Sequence, residues 1–242
     1  MKLIVFDELP STNSFLKENY QDYPHFTVVQ ARHQTQGKGR LGKTFIDDST
    51  QLLFSILVKE QLFFQHLQLI TLFSAQVVHE FLSNYLKSIL IKWPNDLLIN
   101  NKKICGILTE SIHSNQLEAL IIGIGINVNT SSFPDDLQSI ATSLSIETNK
   151  VFDVNRLLND FLDFFEKKYH EFIKNPSTTL DYQNRFSALT NKTVSFIYEN
   201  KLMHGIVIEI AENGALHVLC DNQNLYLTSG EISLLKNKTS ID

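Results

Sequence analysis

Cysteine is scarce in this 242-residue chain, which contains only Cys105 and Cys220 and no CxxC pair. Two isolated cysteines cannot build the disulfide framework that stabilises small secreted domains. The eight histidines are scattered, with neither an HExxH motif nor a paired ligand spacing. The sequence therefore predicts no structural or catalytic zinc site.

Excess basic charge and long apolar runs are also lacking. Lys and Arg total 21 against 26 Asp and Glu, a net charge of -5, so no basic field holds nucleic acid and we expect no DNA binding. The apolar run that precedes Asp7 is too short for a signal peptide. The most apolar later run, Leu117–Val128, is broken by Glu118 and two glycines, which excludes a membrane span. We expect a cytoplasmic protein.

Apolar residues recur at both strand and helix spacing, as in a soluble α+β protein. The predicted strands are Leu3–Phe6, Thr27–Ala31, Leu52–Val58, Ile89–Trp93, Asp96–Ile99, Ile104–Glu110 and Leu117–Val128. The predicted helices are Ser14–Tyr20, Leu62–Leu86, Val154–Phe172 and Thr178–Phe186. Asn100-Asn101 has the chemistry of a tight hairpin turn between two of these strands.

The pattern changes after Leu189, where short strands alternate with polar turns such as Glu212-Asn-Gly214. This alternation is typical of a small all-β module. The sequence therefore predicts a mixed β-sheet domain backed by helices over residues 1–187, and a small C-terminal β-barrel over residues 188–242.

The glycine-rich segment Gly37–Thr44 satisfies both GxxxxGK[ST] and GxGxxG. Both phosphate-binding motifs require a strand that leads directly into the glycines and a helix that follows them. Here Arg32–Gly37 separates the predicted strand from the glycines, and another strand follows the loop. The context disfavours a P-loop or a dinucleotide fold. A flexible loop whose Lys38, Arg40 and Lys43 close over a phosphate, or a solvated surface turn, remain as interpretations.

A second cluster follows a buried strand at Lys92-Trp-Pro-Asn-Asp96, where an amide and a carboxylate stand at a strand end. Gly106 interrupts the predicted strand Ile104–Glu110. A glycine inside a strand indicates that another group packs closely against the backbone there. Gly123-Ile-Gly-Ile-Asn127 is a further strand opened by glycines.

Taken together, these segments resemble the biotin protein ligases, in that family's order and along almost the whole chain. The matching segments are Gly37–Gly42, Lys92–Asp96, Lys103–Leu108 and Gly123–Asn127. In addition, Ser11-Thr12-Asn13 and Gln34 fall where the family places its biotin-reading residues, and Ser229–Ser233 resembles its C-terminal ending. Departures from the family pattern are Lys38 and Leu41 in place of two arginines, and Phe45 in place of a tryptophan.

The resemblance implies a ligase that joins biotin to ATP, giving biotinyl-5′-AMP and pyrophosphate, and then passes biotin to one lysine of a biotin carrier domain of a carboxylase. It implies a catalytic domain like those of class II synthetases and lipoate ligases, with an SH3-like C-terminal module. Family members often dimerise along the sheet edge, so a homodimer is an expectation. The chain begins at the catalytic domain and so resembles the enzyme-only class, without an N-terminal helix-turn-helix domain.

The family pattern also implies roles for individual residues. The expected catalytic residues are Lys103, where the carboxylate meets the α-phosphate, and Arg40, on the phosphate oxygens. The expected biotin-binding residues are Ser11, Thr12, Asn13, Gln34, Gly37, Lys38, Gly39, Arg40, Lys103, Gly106, Gly123 and Gly125. The expected ATP-binding residues are Lys38, Arg40, Trp93, Asn95, Lys103 and Asn127, with Asp96 on Mg²⁺.

Structural interpretations of the same residues stay open: a helix cap for Ser11 and Thr12, a turn carboxylate for Asp96 and a core anchor for Trp93. Competing functions stay open as well. A lipoate or octanoate ligase shares the fold and the chemistry, but its fatty chain needs no polar Ser-Thr-Asn/Gln set. A P-loop NTPase would hydrolyse ATP without any acid, and a non-catalytic biotin sensor would regulate transcription.

Overall fold

The computed structural model describes residues 1–42, 49–230 and 232–234. Lys43, Phe45 and Glu231, which figure in the sequence motifs, lie outside the described residues. Among the residues described, no helix has the length and apolar composition needed to cross a membrane.

A seven-stranded mixed sheet forms the larger part of the molecule, as the sequence predicts. Its strands are β1 (Lys2–Leu9), β2 (Thr27–Gln34), β3 (Leu52–Val58), β4 (Ile89–Lys92), β5 (Asp96–Ile99), β6 (Lys102–His113) and β7 (Leu117–Ile126). The order is β1-β2-β3-β7-β6-β5-β4, with β1 and β2 parallel and every other neighbouring pair antiparallel. β2 runs to Gln34, three residues beyond the predicted strand, so only two residues separate it from Gly37.

Helices cover both faces of this sheet. They are α1 (Thr12–Asn19), α2 (Gln61–Phe64), α3 (Ile70–Leu82), α4 (Leu144–Thr148), α5 (Val154–Lys174) and α6 (Thr178–Arg185). α1 packs on β3 and β7 from one face, with Leu16 in a small cluster beside Leu57 and Ile121. The other face packs against the larger core, which includes residues of α3 and α5. Because β3 is central and covered on both sides, every residue of it is buried, including the single polar Ser55.

The predicted helix over Leu62–Leu86 is wrong, since the chain is broken into α2, a 3₁₀ turn at Leu67–Leu69 and α3. In one continuous helix, Phe63 and Phe73 would be about 15 Å apart along the axis. Their ring centroids are 5.8 Å apart, and Phe63 also packs on Phe172 of α5 at 5.4 Å. The break therefore allows the aromatic side chains to meet in one core, which outweighs the local helical periodicity.

Two short-range features follow directly from residue chemistry. Asn100 and Asn101 have φ angles of 51° and 62°, which confirms the predicted tight turn between β5 and β6. α4 was absent from the prediction, although its capping residues were visible in the sequence. Ser143 accepts a hydrogen bond from the Ile146 amide at the N-terminus, and Asn149 ends the helix with a left-handed φ of 55°.

The C-terminal part is a five-stranded antiparallel sheet that fits an SH3-like module. Its strands are β8 (Thr193–Tyr198), β9 (Lys201–Ile210), β10 (Leu216–Cys220), β11 (Gln223–Leu227) and β12 (Ser233–Leu234), in the order β11-β10-β9-β8-β12. The predicted boundary near Ala188 falls in the connection between α6 and β8. Asn184 of α6 joins the two parts, because its amide makes two hydrogen bonds to the Ile210 backbone, at 2.9 and 2.7 Å.

Candidate active site

Two adjoining cavities lie where the glycine-rich loop meets the central sheet. The larger, of about 780 Å³, is lined by the loop, Trp93, Glu110 and, from the C-terminal module, Gly214 and Thr228. The smaller, of about 60 Å³, lies against the middle of β7 and the start of α1. Both are lined by Lys38, Gly39 and Arg40, so the loop forms the wall that the two cavities share.

The predicted biotin-binding residues converge on the smaller cavity. Every one of them except Gly37, which lines the larger cavity, lies in its wall: Ser11, Thr12, Asn13, Gln34, Lys38, Gly39, Arg40, Lys103, Gly106, Gly123 and Gly125. The sheet explains this convergence, because Gly106 and Gly125 are directly paired between β6 and β7. Ser11 and Gly125, which lie far apart in the sequence, therefore line the same recess.

The start of α1 supplies the polar end of this recess. Ser11 is the N-cap of α1 and accepts a hydrogen bond from the Ser14 amide, so its helix-cap interpretation is confirmed. The next residue, Thr12, is 3% exposed and its backbone amide donates to Gln34 Oε1 at 2.7 Å. The Thr12 hydroxyl lies 2.7 Å from that of Ser55. All of these groups are neutral, so the recess offers hydrogen bonds without charge at this end.

Lys103 also lines the smaller cavity, and its backbone and side chain are held at several points. Its backbone amide donates to the Ile140 carbonyl at 2.7 Å, and its carbonyl accepts from the Thr142 amide at 2.9 Å. The ammonium group lies 2.7 Å from Asp96 Oδ1, at the start of β5. Fixing the backbone in this way directs a long, otherwise flexible cationic side chain toward one place.

Two cations in the described part of the loop, Arg40 and Lys38, anchor it to neighbouring elements. Arg40 Nη1 donates to Asn95 Oδ1 at 3.0 Å, and the amide of Asn95 in turn donates to the Ile107 carbonyl at 3.0 Å. Lys38 Nζ donates to the Ser14 hydroxyl of α1 at 2.9 Å. Asn95 therefore connects the loop to β6, and Lys38 and Arg40 line both cavities.

Two of the predicted nucleotide-binding residues have structural partners. The Trp93 indole is 3% exposed and donates to the Gly214 carbonyl at 3.0 Å, so Trp93 is a core anchor that also borders the larger cavity. Asn127 lies outside the lining of both cavities, and its amide donates to the Thr142 carbonyl at 2.9 Å. That bond supports the segment that holds Lys103.

Asp96 is a single carboxylate rather than part of a metal cluster. Within the described residues, no group of three His, Cys, Asp or Glu side chains is arranged to hold a metal ion. Mg²⁺ on nucleotides is commonly held by one or two carboxylates together with the phosphates, so the side chain of Asp96, which is 21% exposed, is of the right type.

Two residues of the site were missed by the sequence analysis. Ser55 lies beside Thr12 and Asn13, and Glu110 lines the larger cavity while accepting a hydrogen bond from the Asn13 amide at 2.9 Å. A signal for Ser55 was present, since it is the one polar residue in the apolar strand Leu52–Val58. Glu110 entered the sequence analysis through its place at the end of the predicted strand Ile104–Glu110, which indicated no role in the site.

Residues 5–127 match the Biotin/lipoate A/B protein ligase family, and residues 190–235 match the Biotin protein ligase C terminal domain. The first match spans half of the chain, and the chain belongs to this family. The two matches thus fall on the large sheet domain and on the C-terminal module, respectively.

Similar proteins include a bifunctional ligase/repressor BirA of Bacillus subtilis, 35% identical over 184 residues that cover 74% of this chain and 57% of that protein. A biotin–[acetyl-CoA-carboxylase] ligase of Mycobacterium tuberculosis is 24% identical over 86% of this chain and 79% of its own length. The chain thus spans little more than half the length of the Bacillus relative. Among solved structures, biotin protein ligase from Aquifex aeolicus in complex with biotin and ATP has a TM-score of 0.84 at 28% identity, covering 97% of this chain and 99% of that one.

Proposed function

We propose that this protein is an ATP-dependent biotin protein ligase, which activates biotin as biotinyl-5′-AMP and transfers it to a lysine of a biotin carrier domain. The observation that carries the proposal is the pair of adjoining cavities. The smaller is lined by neutral polar groups and by Lys103, and it shares the Lys38–Arg40 wall with a larger cavity of nucleotide size. An acid in the first cavity and a nucleotide in the second would meet at that wall.

The polar end of the smaller cavity suits the ureido head group of biotin. That ring is neutral and offers two N–H donors and one carbonyl acceptor. Thr12 and Gln34 present a hydroxyl and an amide there, both of them neutral groups. A fatty acid has no group that would use these partners, which favours biotin over lipoate or octanoate.

In the first step, a carboxylate oxygen of biotin forms a bond to the α-phosphorus of ATP, and pyrophosphate leaves. Both reactants are anionic, so cations must stand where they approach each other. Lys103 is the cation we propose for the carboxylate and the α-phosphate, and Arg40 and Lys38 for the phosphate oxygens. Asp96 would hold Mg²⁺, which would neutralise charge on the phosphates when bound.

In the second step, the amine of the acceptor lysine attacks the carbonyl carbon of the mixed anhydride. An amide bond forms, AMP leaves and the amine loses a proton. Biotinyl-5′-AMP hydrolyses where water reaches it, so a covering loop protects it. The anchoring of Arg40 to Asn95 at 3.0 Å is the kind of contact that would keep the loop over the intermediate.

The partner that this chemistry requires is a biotin carrier domain, and the relatives named for acetyl-CoA carboxylase support that class of acceptor. We also propose that the protein is cytoplasmic, where ATP and carboxylases are found. Association into a homodimer is a further proposal. The net charge of -5 favours a ligase without a role on DNA.

The proposal is tested by ATP–pyrophosphate exchange, which reports formation of the adenylate. We expect exchange that depends on biotin and that lipoate and octanoate support at least a hundredfold less efficiently. Exchange with lipoate or octanoate as the preferred acid would make the protein a lipoyl or octanoyl ligase of the same fold. ATP hydrolysis with no dependence on any acid would instead indicate an NTPase.

A further inference from the structure

The Asn13 side chain is inserted into a slot in the central sheet. Ser55, Gly123 and Leu108 form one row across β3, β7 and β6, because Ser55 pairs with Gly123 and Gly123 with Leu108. The Ser55 hydroxyl donates to Asn13 Oδ1 at 2.6 Å. A Cβ atom at Gly123 would lie 2.2 Å from the same oxygen, so the missing side chain of Gly123 makes the space that Asn13 occupies.

The amide nitrogen of Asn13 is also committed inside the protein. Nδ2 donates to Glu110 Oε2 at 2.9 Å and to the Leu108 carbonyl at 3.3 Å. An amide nitrogen has two hydrogens, and these two acceptors account for both. Asn13, which is 4% exposed, therefore has no hydrogen left to donate to a substrate.

Ser55 links this slot to Thr12. A serine hydroxyl has one hydrogen, and the hydrogen of Ser55 goes to Asn13 Oδ1, which can only accept. The 2.7 Å contact between the Ser55 and Thr12 hydroxyls therefore has Thr12 as its donor, and the same hydroxyl also donates to Gln34 Oε1 at the longer distance of 3.2 Å. Because the Thr12 hydroxyl already donates its only hydrogen within the protein, its oxygen can act toward a ligand only as a hydrogen-bond acceptor. Thr12 lines the smaller cavity.

We propose that Ser55 is a positioning residue for substrate specificity, which makes the Thr12 hydroxyl a hydrogen-bond acceptor for an N–H group on the head of the acid. Glu110 is its counterpart at the other end of Asn13, where it fixes the orientation of the amide and thereby the direction of the relay Glu110–Asn13–Ser55–Thr12. This inference rests on the proposed function, and it explains how a buried polar row selects an acid that carries N–H donors.

The decisive variant is Ser55→Ala, measured by ATP–pyrophosphate exchange. Loss of the hydroxyl removes the nearer acceptor of the Thr12 hydrogen and leaves only Gln34 Oε1, at 3.2 Å, so the Thr12 hydroxyl is held less firmly and can turn its hydrogen toward the ureido N–H. We expect the KM for biotin to rise at least tenfold, which corresponds to about 1.4 kcal/mol. The KM for ATP and kcat at saturating biotin should change less than twofold. A merely structural effect would lower the melting temperature and leave the KM for biotin unchanged.

Substitutions of Glu110 provide a second, independent test of the relay. Glu110→Ala removes the acceptor for Asn13 Nδ2, whereas Glu110→Gln keeps a carbonyl oxygen for it and loses only the charge. We expect Glu110→Ala to raise the KM for biotin about tenfold and Glu110→Gln to restore it to within threefold of the wild type. The matched control is Lys17→Ala, since Lys17 contacts the other oxygen of Glu110 at 3.1 Å and is exposed. This control should leave the KM unchanged.

The two series separate the possible failures. A wild type that exchanges with biotin, with an unchanged KM in both Ser55→Ala and Glu110→Ala, overturns the relay and leaves the proposed function standing. A wild type that shows no biotin-dependent exchange overturns the proposed function, and the relay falls with it. If Ser55→Ala does not fold, the contrast between Glu110→Ala and Glu110→Gln decides alone, and equal effects of the two overturn the relay.

Discussion

At the scale of single residues, Lys103 shows what the sequence predicts and what only the structure reveals. The sequence offered a lysine at a strand start, in register with Gly106 and Glu110 of the family pattern. The structure adds the backbone bonds to Ile140 and Thr142 and the 2.7 Å contact between the ammonium and Asp96. The contacts with Ile140 and Thr142 come from a segment nearly forty residues later in the chain, which no local pattern connects with Lys103.

Replacement of Lys103 by alanine should abolish adenylate formation without unfolding the protein. The ammonium is the cation proposed between the carboxylate and the α-phosphate, and loss of one such group costs about 10²–10³ in rate. Biotin-dependent pyrophosphate exchange measures the effect, and circular dichroism measures folding. The matched control is Lys102→Ala, the neighbouring lysine outside both cavities, which should retain exchange. Near-normal exchange in Lys103→Ala would remove Lys103 from the mechanism.

His79 is buried away from the site and makes stability depend on pH. Its Nδ1 lies 2.7 Å from the Tyr182 hydroxyl and its Nε2 lies 3.0 Å from the Ile89 carbonyl. Burial lowers the pKa of His79 below the usual 6.5, although the Ile89 carbonyl and Glu80 oppose the shift. Above that value both folded and unfolded chains carry a neutral imidazole, so the shift contributes no pH dependence there.

Below about pH 6.5 the unfolded chain takes up the proton first, so the free energy of unfolding should fall as pH is lowered further. One proton contributes at most about 1.4 kcal/mol per pH unit. Urea denaturation at pH 7.5 and 5.5 measures the loss, and His79→Gln should reduce it. His25 has a pKa lowered by burial as well, so part of the slope should remain. An equal slope in His79→Gln would show that His79 makes no contribution.

At the scale of elements, the strands were predicted well and the long helix poorly. β3 begins and ends at the predicted residues, because a central strand that is buried on both faces appears in the sequence as an apolar run bounded by polar residues. The break between α2 and α3 depends on Phe63 meeting Phe73 and Phe172. Aromatic contacts of this kind are decided by tertiary packing, and helical spacing alone does not reveal them.

The turn between β5 and β6 brings Asp96 and Lys103 onto adjacent strands and should be sensitive to side-chain branching. Asn101 has a φ of 62°, a conformation that asparagine and glycine adopt readily. Asn101→Val should lower the free energy of unfolding by about 1–2 kcal/mol, whereas Asn101→Gly should change it by less than about 0.5 kcal/mol. Urea denaturation of both variants tests this pair, and equal stabilities would contradict the strain argument.

The glycine-rich loop should act as the cover of the intermediate. Arg40→Gly removes the 3.0 Å contact with Asn95, so biotinyl-5′-AMP should escape or hydrolyse at least tenfold faster. The release rate of radiolabelled adenylate from a preloaded enzyme measures this change. Arg32→Ala is the control, because it removes an exposed arginine that pairs with Asp7 and lies outside both cavities. A release rate equal to that of the wild type would exclude a covering role for Arg40.

At the scale of the whole molecule, the C-terminal module completes the larger cavity. Gly214 and Thr228 line it, and the Gly214 carbonyl receives the indole hydrogen of Trp93 at 3.0 Å. The sequence predicted the module as a unit from its alternating strands and turns. Its contribution to the cavity was not predictable, because it depends on where one turn meets Trp93, more than a hundred residues away. The nearness of Ser55 to Asn13 was hidden for the same reason.

The central claim is transfer of biotin to protein, and a purified biotin carrier domain tests it most directly. The protein, ATP, Mg²⁺ and biotin are incubated with the carrier domain, and streptavidin detects the product. We expect labelling that requires ATP and biotin and that disappears when the acceptor lysine of the carrier is replaced by arginine. An active enzyme preparation that leaves the carrier unlabelled with biotin, but attaches lipoate or octanoate to a lipoyl domain, would contradict the account.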